Sequence, residues 1–412
     1  MPLNINAIRQ QFPALNQRIN GQAPIFFDGP GGSQTTEKTL DTMRGYFAFY
    51  NANLGSNFFS GLKTTEVMQQ AREAVAALVN APSADDISFG GTATMLMFNF
   101  SRAIRRDWQP GDEIIVTAAD HYSNVSSWQH IAKDKGVTVH QIAVDETTFE
   151  IDYQALASKI NDKTKLIAFT YASNTLGSVL DAQRIIKMAK SVGALTFIDA
   201  VHYAPHFSID VQQLDCDFLV LSAYKFTGPH VAAIYGKTEH LQALRAYKVE
   251  PATEIAPGRW EQGTQNFEGL AGMTVAIEYL ASLSEQPATE HNLRQRLVTA
   301  FERINAYEKT LSEHFLTKLK AIDGITLYGK SEVEGRSPTF AFRLPKGTTT
   351  EFADFCAERM VGIGAGNFYA QALCEQLGIM QQGGVIRAGC LHYNTIKEID
   401  VLFDLIDEFL NA

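Results

Sequence analysis

A lysine that closes an apolar run is the feature of this chain best suited to covalent chemistry. Lys225 ends DFLVLSAYK (217–225). A lysine there is poorly placed for solvent, and desolvation lowers its pKa, which leaves a free amine able to form a Schiff base with a carbonyl carbon. Asp199 lies near the end of a second apolar run, ALTFIDAV (194–201), with His202 just beyond it. A carboxylate in such a place is costly unless a cation or hydrogen-bond donors satisfy it, and a pyridinium nitrogen would be such a partner. Two further runs end in polar clusters: DEIIVTAAD (112–120) in His121-Tyr122-Ser123-Asn124, and KLIAFTYAS (165–173) in Ser173-Asn174. Ser222 precedes Lys225 by three residues. Gly90-Gly91-Thr92-Ala93-Thr94 opens a segment that continues as an apolar helix, so backbone N–H groups and threonine hydroxyls stand at a positive helix end that suits a phosphate.

The elements that must hold these residues are buried strands alternating with helices. The four runs above, with VAAIYG (231–236), read as strands, and AQRIIKMAKSVG (182–193) reads as a helix stopped at Gly193. That alternation predicts an α/β protein with a mainly parallel sheet. In open α/β sheets ligands bind at the carboxyl ends of the strands, so the four polar clusters are predicted to meet on one rim. After about residue 275 the pattern changes. A long charged helical stretch (289–322) precedes the short strand candidates GITLYG and SPTFAFRL, which predicts a smaller α+β domain. The division expected is a large cofactor-binding domain over 21–275 and a small domain formed by 1–20 with 276–412.

Composition narrows the function classes. The 412 residues carry 45% hydrophobic and 19% charged side chains, as a folded globular protein does. A formal charge of −10 with no basic block argues against nucleic acid as a partner. No run reaches the length of a membrane span, and the amino terminus has no secretory pattern, so neither membrane nor export is expected. The four cysteines, Cys216, Cys356, Cys374 and Cys390, form no CxxC pair. A reducing cytoplasm is therefore the expected location. His202 and His206 have H-x-x-x-H spacing, but Pro205 interrupts any helix that would align them, so no metal site is expected.

Six segments together carry a family resemblance. SAYKFTGPHVAAIYG resembles the S-x-x-K-x-x-G-P lysine motif of the cysteine desulfurase branch of the class V aminotransferases. IDAVHYAPH is similar to the Asp-x-x-Gln/His segment of that family, and ADHYSNVSSWQ to its E-H-H-x-N-x-x-x-W segment. YASNTLGSV, RWEQGTQN and IRAGCLHYNT match in the same order. The resemblance implies pyridoxal 5'-phosphate (PLP) fold type I, the aspartate aminotransferase-like architecture with a seven-stranded sheet. It further implies that Lys225 carries PLP as a Schiff base and moves the substrate proton, that Asp199 pairs with the pyridinium, that His202 meets the phenolic oxygen, and that His121 stacks on the ring. Thr92, Ala93 and Ser222 are implied to hold the phosphate, with Thr264 reaching over from the partner of a homodimer. Asn174 is implied at the cofactor and substrate, and Arg387 at the α-carboxylate of a small amino acid, a task that suits a planar guanidinium.

The pattern breaks at one place. Where the family presents a nucleophilic cysteine that carries a persulfide, VGIGAGNFYA has Tyr369, with Gly364, Asn367 and Phe368 in place of the family's arginine and paired histidines. Cys374, five residues on, is expected to be a buried structural residue. The glycines at 362, 364 and 366 do not follow a nucleotide fingerprint, and a flexible or close-packed loop is expected there. The activity expected is carbon–sulfur β-elimination or transamination. Racemisation, desulfuration through another cysteine, a nicotinamide-dependent oxidoreductase and a non-catalytic binding protein are the competing readings. Substrate-pocket walls are expected from 51–61, Tyr224 and 362–370.

Overall fold

The computed structural model describes residues 2–412. After a two-residue strand, β1 (Ile25–Phe26), come seven that share one sheet. These are β2 (Ile87–Gly90), β3 (Glu113–Thr117), β4 (Thr138–Ile142), β5 (Thr164–Thr170), β6 (Leu195–Asp199), β7 (Phe218–Ser222) and β8 (Ala232–Gly236). Their spatial order is β2-β8-β7-β6-β5-β3-β4, with β8 antiparallel to both its neighbours and the other pairs parallel. The seven-stranded, mainly parallel sheet of the sequence reading is therefore present. Side chains alternate between two cores, one on each face, as a period of two requires. Ile115, Ile167, Phe169, Ile198 and Leu219 enter one, and Ile114, Val116, Leu166, Phe197 and Val220 enter the other. Burial on both faces explains why the central strands read as continuous apolar runs. β2 and β4 lacked that signal: β2 is four residues long, and β4 (TVHQI) is an edge strand whose first four residues are exposed or half-buried.

The smaller sheet uses β9 (Thr326–Tyr328), β10 (Thr339–Arg343), β12 (Gly364–Gly366) and β13 (Val385–Gly389) in the order β12-β13-β10-β9; between them in the chain lies β11 (Val361–Gly362). The glycines at 362, 364 and 366, expected in a loop, lie instead in β11 and β12. Gly364 is needed by close packing: a Cβ there would meet the Phe368 ring at 2.7 Å. Helices Leu293–Lys320, Thr349–Ala357 and Ile396–Asn411 close this unit over Leu311, Phe315, Phe340, Phe342, Ile386 and Leu402.

Two seams join the parts. β1 pairs in parallel with β11, Ile25 opposite Val361. The segment before β10 is stitched to the loop after β5: Ser337 N–H donates to the Gly177 carbonyl at 2.8 Å, and Val179 N–H to that of Gly335 at 2.9 Å. Gly177 has φ +74°, and a Cβ there would stand 2.6 Å from the Thr339 carbonyl oxygen, so the seam requires glycine at this position.

Candidate active site

β3, β5, β6 and β7 end at one cavity of about 510 Å³. His121 and Ser123 reach it from beyond β3, Asn174 from beyond β5, Asp199 and His202 from the end of β6, and Ser222 and Lys225 from the end of β7. Each strand stops at or just before its polar cluster, so the apolar residues stay in the sheet and the reactive ones turn onto the rim. Thr92 and Ala93 line the cavity at the start of helix Ala93–Ile104, where Thr92 is the N-cap and its hydroxyl accepts from Met95 N–H at 3.1 Å. The free N–H groups of that first turn give this end of the cavity a positive potential.

The lysine and the aspartate are both buried. Burial, helped by the Arg387 guanidinium, pulls the Lys225 pKa down to about 7 against the opposing pull of Asp28 and Asp199. Its Nζ contacts the Pro30 carbonyl and lies 4.6 Å from the Tyr224 ring centre. Burial raises Asp199 to about 6, opposed by the Val201 N–H that its Oδ1 accepts at 2.9 Å and by Lys225. His121 is lowered to about 4 by burial, with Lys225 and Arg387 adding to it, so its ring is neutral at pH 7. Ser123 N–H donates to His121 Nδ1 at 3.2 Å, and the imidazole lies over the Tyr369 ring at 5.1 Å with 28° between planes. Beneath it, Asp120 is fully buried, accepts from Thr117 Oγ1 and Asn124 Nδ2, and is pushed up to about 8 by burial. Trp128 Nε1 donates in turn to Asn124 Oδ1 at 3.1 Å.

Two residues singled out in the sequence do not line the cavity. Thr264 is exposed and away from the cavity of its own chain. Arg387, on β13, is buried behind Asn174. Its Nη1 donates to the Asn174 carbonyl at 3.1 Å, its Nη2 pairs with Asp28 Oδ1 at 2.8 Å, and Phe368 covers its face at 3.8 Å. Of the expected pocket walls, Tyr224 and Tyr369 line the cavity and 51–61 do not; most of that stretch precedes helix Phe59–Val79. Asp28, Pro30 and His230 were missed. Asp28 and Pro30 sit in the glycine-rich stretch FFDGPGGSQ, and His230 stacks on Tyr224 at 5.1 Å.

The loop carrying Tyr369 is held down rather than free. Tyr122 N–H donates to the Tyr369 carbonyl at 2.7 Å and Asn174 Nδ2 to that of Phe368 at 2.9 Å, while Phe368 and Tyr369 both adopt positive φ. None of the four cysteines lines the cavity, and all are buried. Burial raises the Cys374 thiol to about 11.

The donor set fits an aromatic phosphate with a basic ring nitrogen. Buried Asn174 Oδ1 and His202 Nδ1 have no hydrogen-bond partner among the described residues, Asp199 is matched by a single backbone donor, and a capped helix start faces the same space. Residues 25–402 match the family model described as aminotransferase class-V. The chain belongs to the class V aminotransferases. A cysteine desulfurase of Pectobacterium carotovorum is 30% identical over 98% of this chain and 97% of its own length. A probable cysteine desulfurase of Halalkalibacterium halodurans is 27% identical over 97% and 96%. Among solved structures, a cysteine desulfurase from Escherichia coli superposes with a TM-score of 0.85 at 26% identity, covering 100% of this chain and 99% of that one. One from Thermococcus onnurineus, at 22% identity, shares the fold with a TM-score of 0.87 over 100% and 99%. This class V chain is thus a PLP-dependent enzyme of the cysteine desulfurase-like branch, with PLP fold type I.

Proposed function

We propose that this enzyme acts on a small α-amino acid by carbon–sulfur β-elimination, or by transamination, without a persulfide on the protein. Tyr369 carries this reading: a phenol, which cannot hold a persulfide, stands over the cavity on His121, and no thiol lines the same space. Bound PLP supplies an electron sink for negative charge developing at the substrate Cα. Lys225 would hold it, and its amine, about half neutral near pH 7, takes the Cα proton and returns it. Asp199 keeps a proton on the pyridine nitrogen through a buried charge pair. Thr92, the Ala93 N–H and Ser222 bind the phosphate, with Thr264 of the second subunit in a homodimer. His121 covers the ring, His202 meets its phenolic oxygen, and Asn174 contacts cofactor and substrate.

Arg387 is the proposed carboxylate partner, reached past Asn174. Its Nε is buried without a hydrogen-bond partner among the described residues, so that N–H is left for a substrate oxygen while the Asn174 carbonyl engages Nη1 and Asp28 engages Nη2. Incubation with cysteine separates the outcomes. β-Elimination yields pyruvate, ammonia and sulfide with no sulfur retained on the protein. Alanine with protein-bound persulfide would overturn the reading of Tyr369. Turnover only when a keto acid is supplied as amino acceptor assigns transamination. The cofactor assignment itself predicts a yellow protein whose visible absorbance is lost on borohydride treatment, which links the cofactor to Lys225, and is absent in Lys225→Ala.

A further inference from the structure

His202 is held from outside the large sheet. Its Nε2 lies 3.1 Å from both Ser337 Oγ and Thr339 Oγ1, hydroxyls delivered by β10 and the segment before it, and its Nδ1 is buried with no hydrogen-bond partner among the described residues. Ser337 and Thr339 are fully buried. Which ring nitrogen carries the proton follows from where the two hydroxyl protons can go. Ser337 Oγ has a second acceptor, the Gly177 carbonyl at 3.3 Å. Thr339 Oγ1 has His202 Nε2 as its hydrogen-bonding neighbour among the described residues and no other. If Nε2 were the donor, the buried Thr339 proton would be stranded, at the cost of an unmade hydrogen bond in a dry site. Nε2 must therefore accept. Burial, with His206, Lys225 and Arg387 nearby, holds the imidazole well below its ordinary pKa, so the neutral ring keeps one proton. That proton is on Nδ1.

We propose that Thr339 is a positioning residue that fixes His202 as its Nδ1–H tautomer, leaving a ring N–H ready to donate to the phenolic oxygen of bound PLP. The inference rests on the reading above that His202 faces this oxygen. A partnerless buried N–H is unfavourable in cofactor-free protein, and an anionic oxygen is the acceptor that relieves it. The seam at Gly177 gives the device its rigidity, because the backbone carrying both hydroxyls is hydrogen-bonded to the loop after β5. The smaller sheet thereby sets a proton position in the larger one.

The test is 15N NMR of the full-length protein labelled at histidine, with and without PLP, the His202 signals being assigned by their loss in His202→Gln. The expected cofactor-free spectrum has Nδ1 in the protonated range and Nε2 in the unprotonated range. Thr339→Val keeps the shape but removes the donor, so the proton moves to Nε2 to pair with Ser337. Thr339→Ser restores the wild-type pattern, and Ser337→Ala leaves it unchanged. Loss of one hydrogen bond to a charged oxygen weakens PLP binding to Thr339→Val by roughly tenfold or more. A wild-type signal with Nε2 protonated overturns the proposal, as does Thr339→Val retaining Nδ1–H. Should that variant fail to fold, the wild-type spectrum alone decides. A tautomer switch with unchanged PLP affinity rejects the contact with the phenolic oxygen, and with it the placement of His202 on which the inference rests.

Discussion

Lys225 owes its reactivity to burial more than to any one neighbour. An ordinary lysine at pH 7 is neutral in only about 0.04% of molecules, whereas a group with a pKa near 7 is about half neutral. The folded site thus raises the supply of free amine roughly a thousandfold. Incorporation of PLP into cofactor-free protein should therefore rise as pH rises through about 7, level off roughly one unit above it, and fall to about a fifth of its pH 7 rate at pH 6. Trapping with borohydride after short exposures at each pH reads this directly. A rate that keeps climbing toward pH 10 would show Lys225 to be an ordinary solvated amine. Charge near the site sets the sign. Arg387 opposes protonation of the lysine, while Asp28 and Asp199 favour it, so Asp199→Asn should move the midpoint downward.

At the scale of elements, the start of helix Ala93–Ile104 is where a cap and a ligand site coincide. Thr92→Ala removes the hydroxyl that accepts from Met95 N–H and should lower the stability of cofactor-free protein by about 1 kcal/mol. It should also weaken PLP, and Thr92→Ser should recover both. Denaturant unfolding and PLP titration measure the two effects separately; loss of stability with intact PLP affinity would make Thr92 a cap and nothing more. This element was readable because Gly-Gly-Thr precedes an apolar periodic stretch. Lys225 and Asp199 were readable for a related reason: a charge closing an apolar strand has few places to go. β3 and β5 to β8 stood out because burial on both faces makes them continuous apolar runs, while the polar edge strand β4 and the four-residue β2 carry no such mark. The long-range contacts had no local signature. Asp28 meets Arg387 across 359 residues and Thr339 meets His202 across 137, so neither pairing could be seen before the chain was folded. Among the glycines of β11 and β12, Gly364 admits the Phe368 ring, a role that spacing does not reveal.

At the scale of the whole molecule, one apolar surface calls for cover. Phe47 and Phe49 at the end of helix Glu37–Phe49, and Phe58, Phe59 and Leu62 at the start of helix Phe59–Val79, are 55–70% exposed. Large rings gathered in this way mark a protein interface more often than a solvated face. A homodimer built here would explain why Thr264 is exposed yet absent from the cavity of its own chain. Light scattering should then give twice the 45.5 kDa chain mass, and Phe49→Glu with Phe59→Glu should yield monomers that bind PLP poorly. Mixing subunits tests the exchange of Thr264 more sharply. Lys225→Ala homodimers lack the lysine at both sites, and Thr264→Val homodimers lack the hydroxyl at both. A mixed dimer has one site with Lys225 from the Thr264→Val chain and an intact threonine from the Lys225→Ala chain. If Thr264 acts across the interface, that site is wild type, and co-refolding the two variants restores tight, borohydride-trappable PLP at one site per mixed dimer. If it acts within its own chain, every lysine-bearing site keeps the defect, and mixing restores nothing.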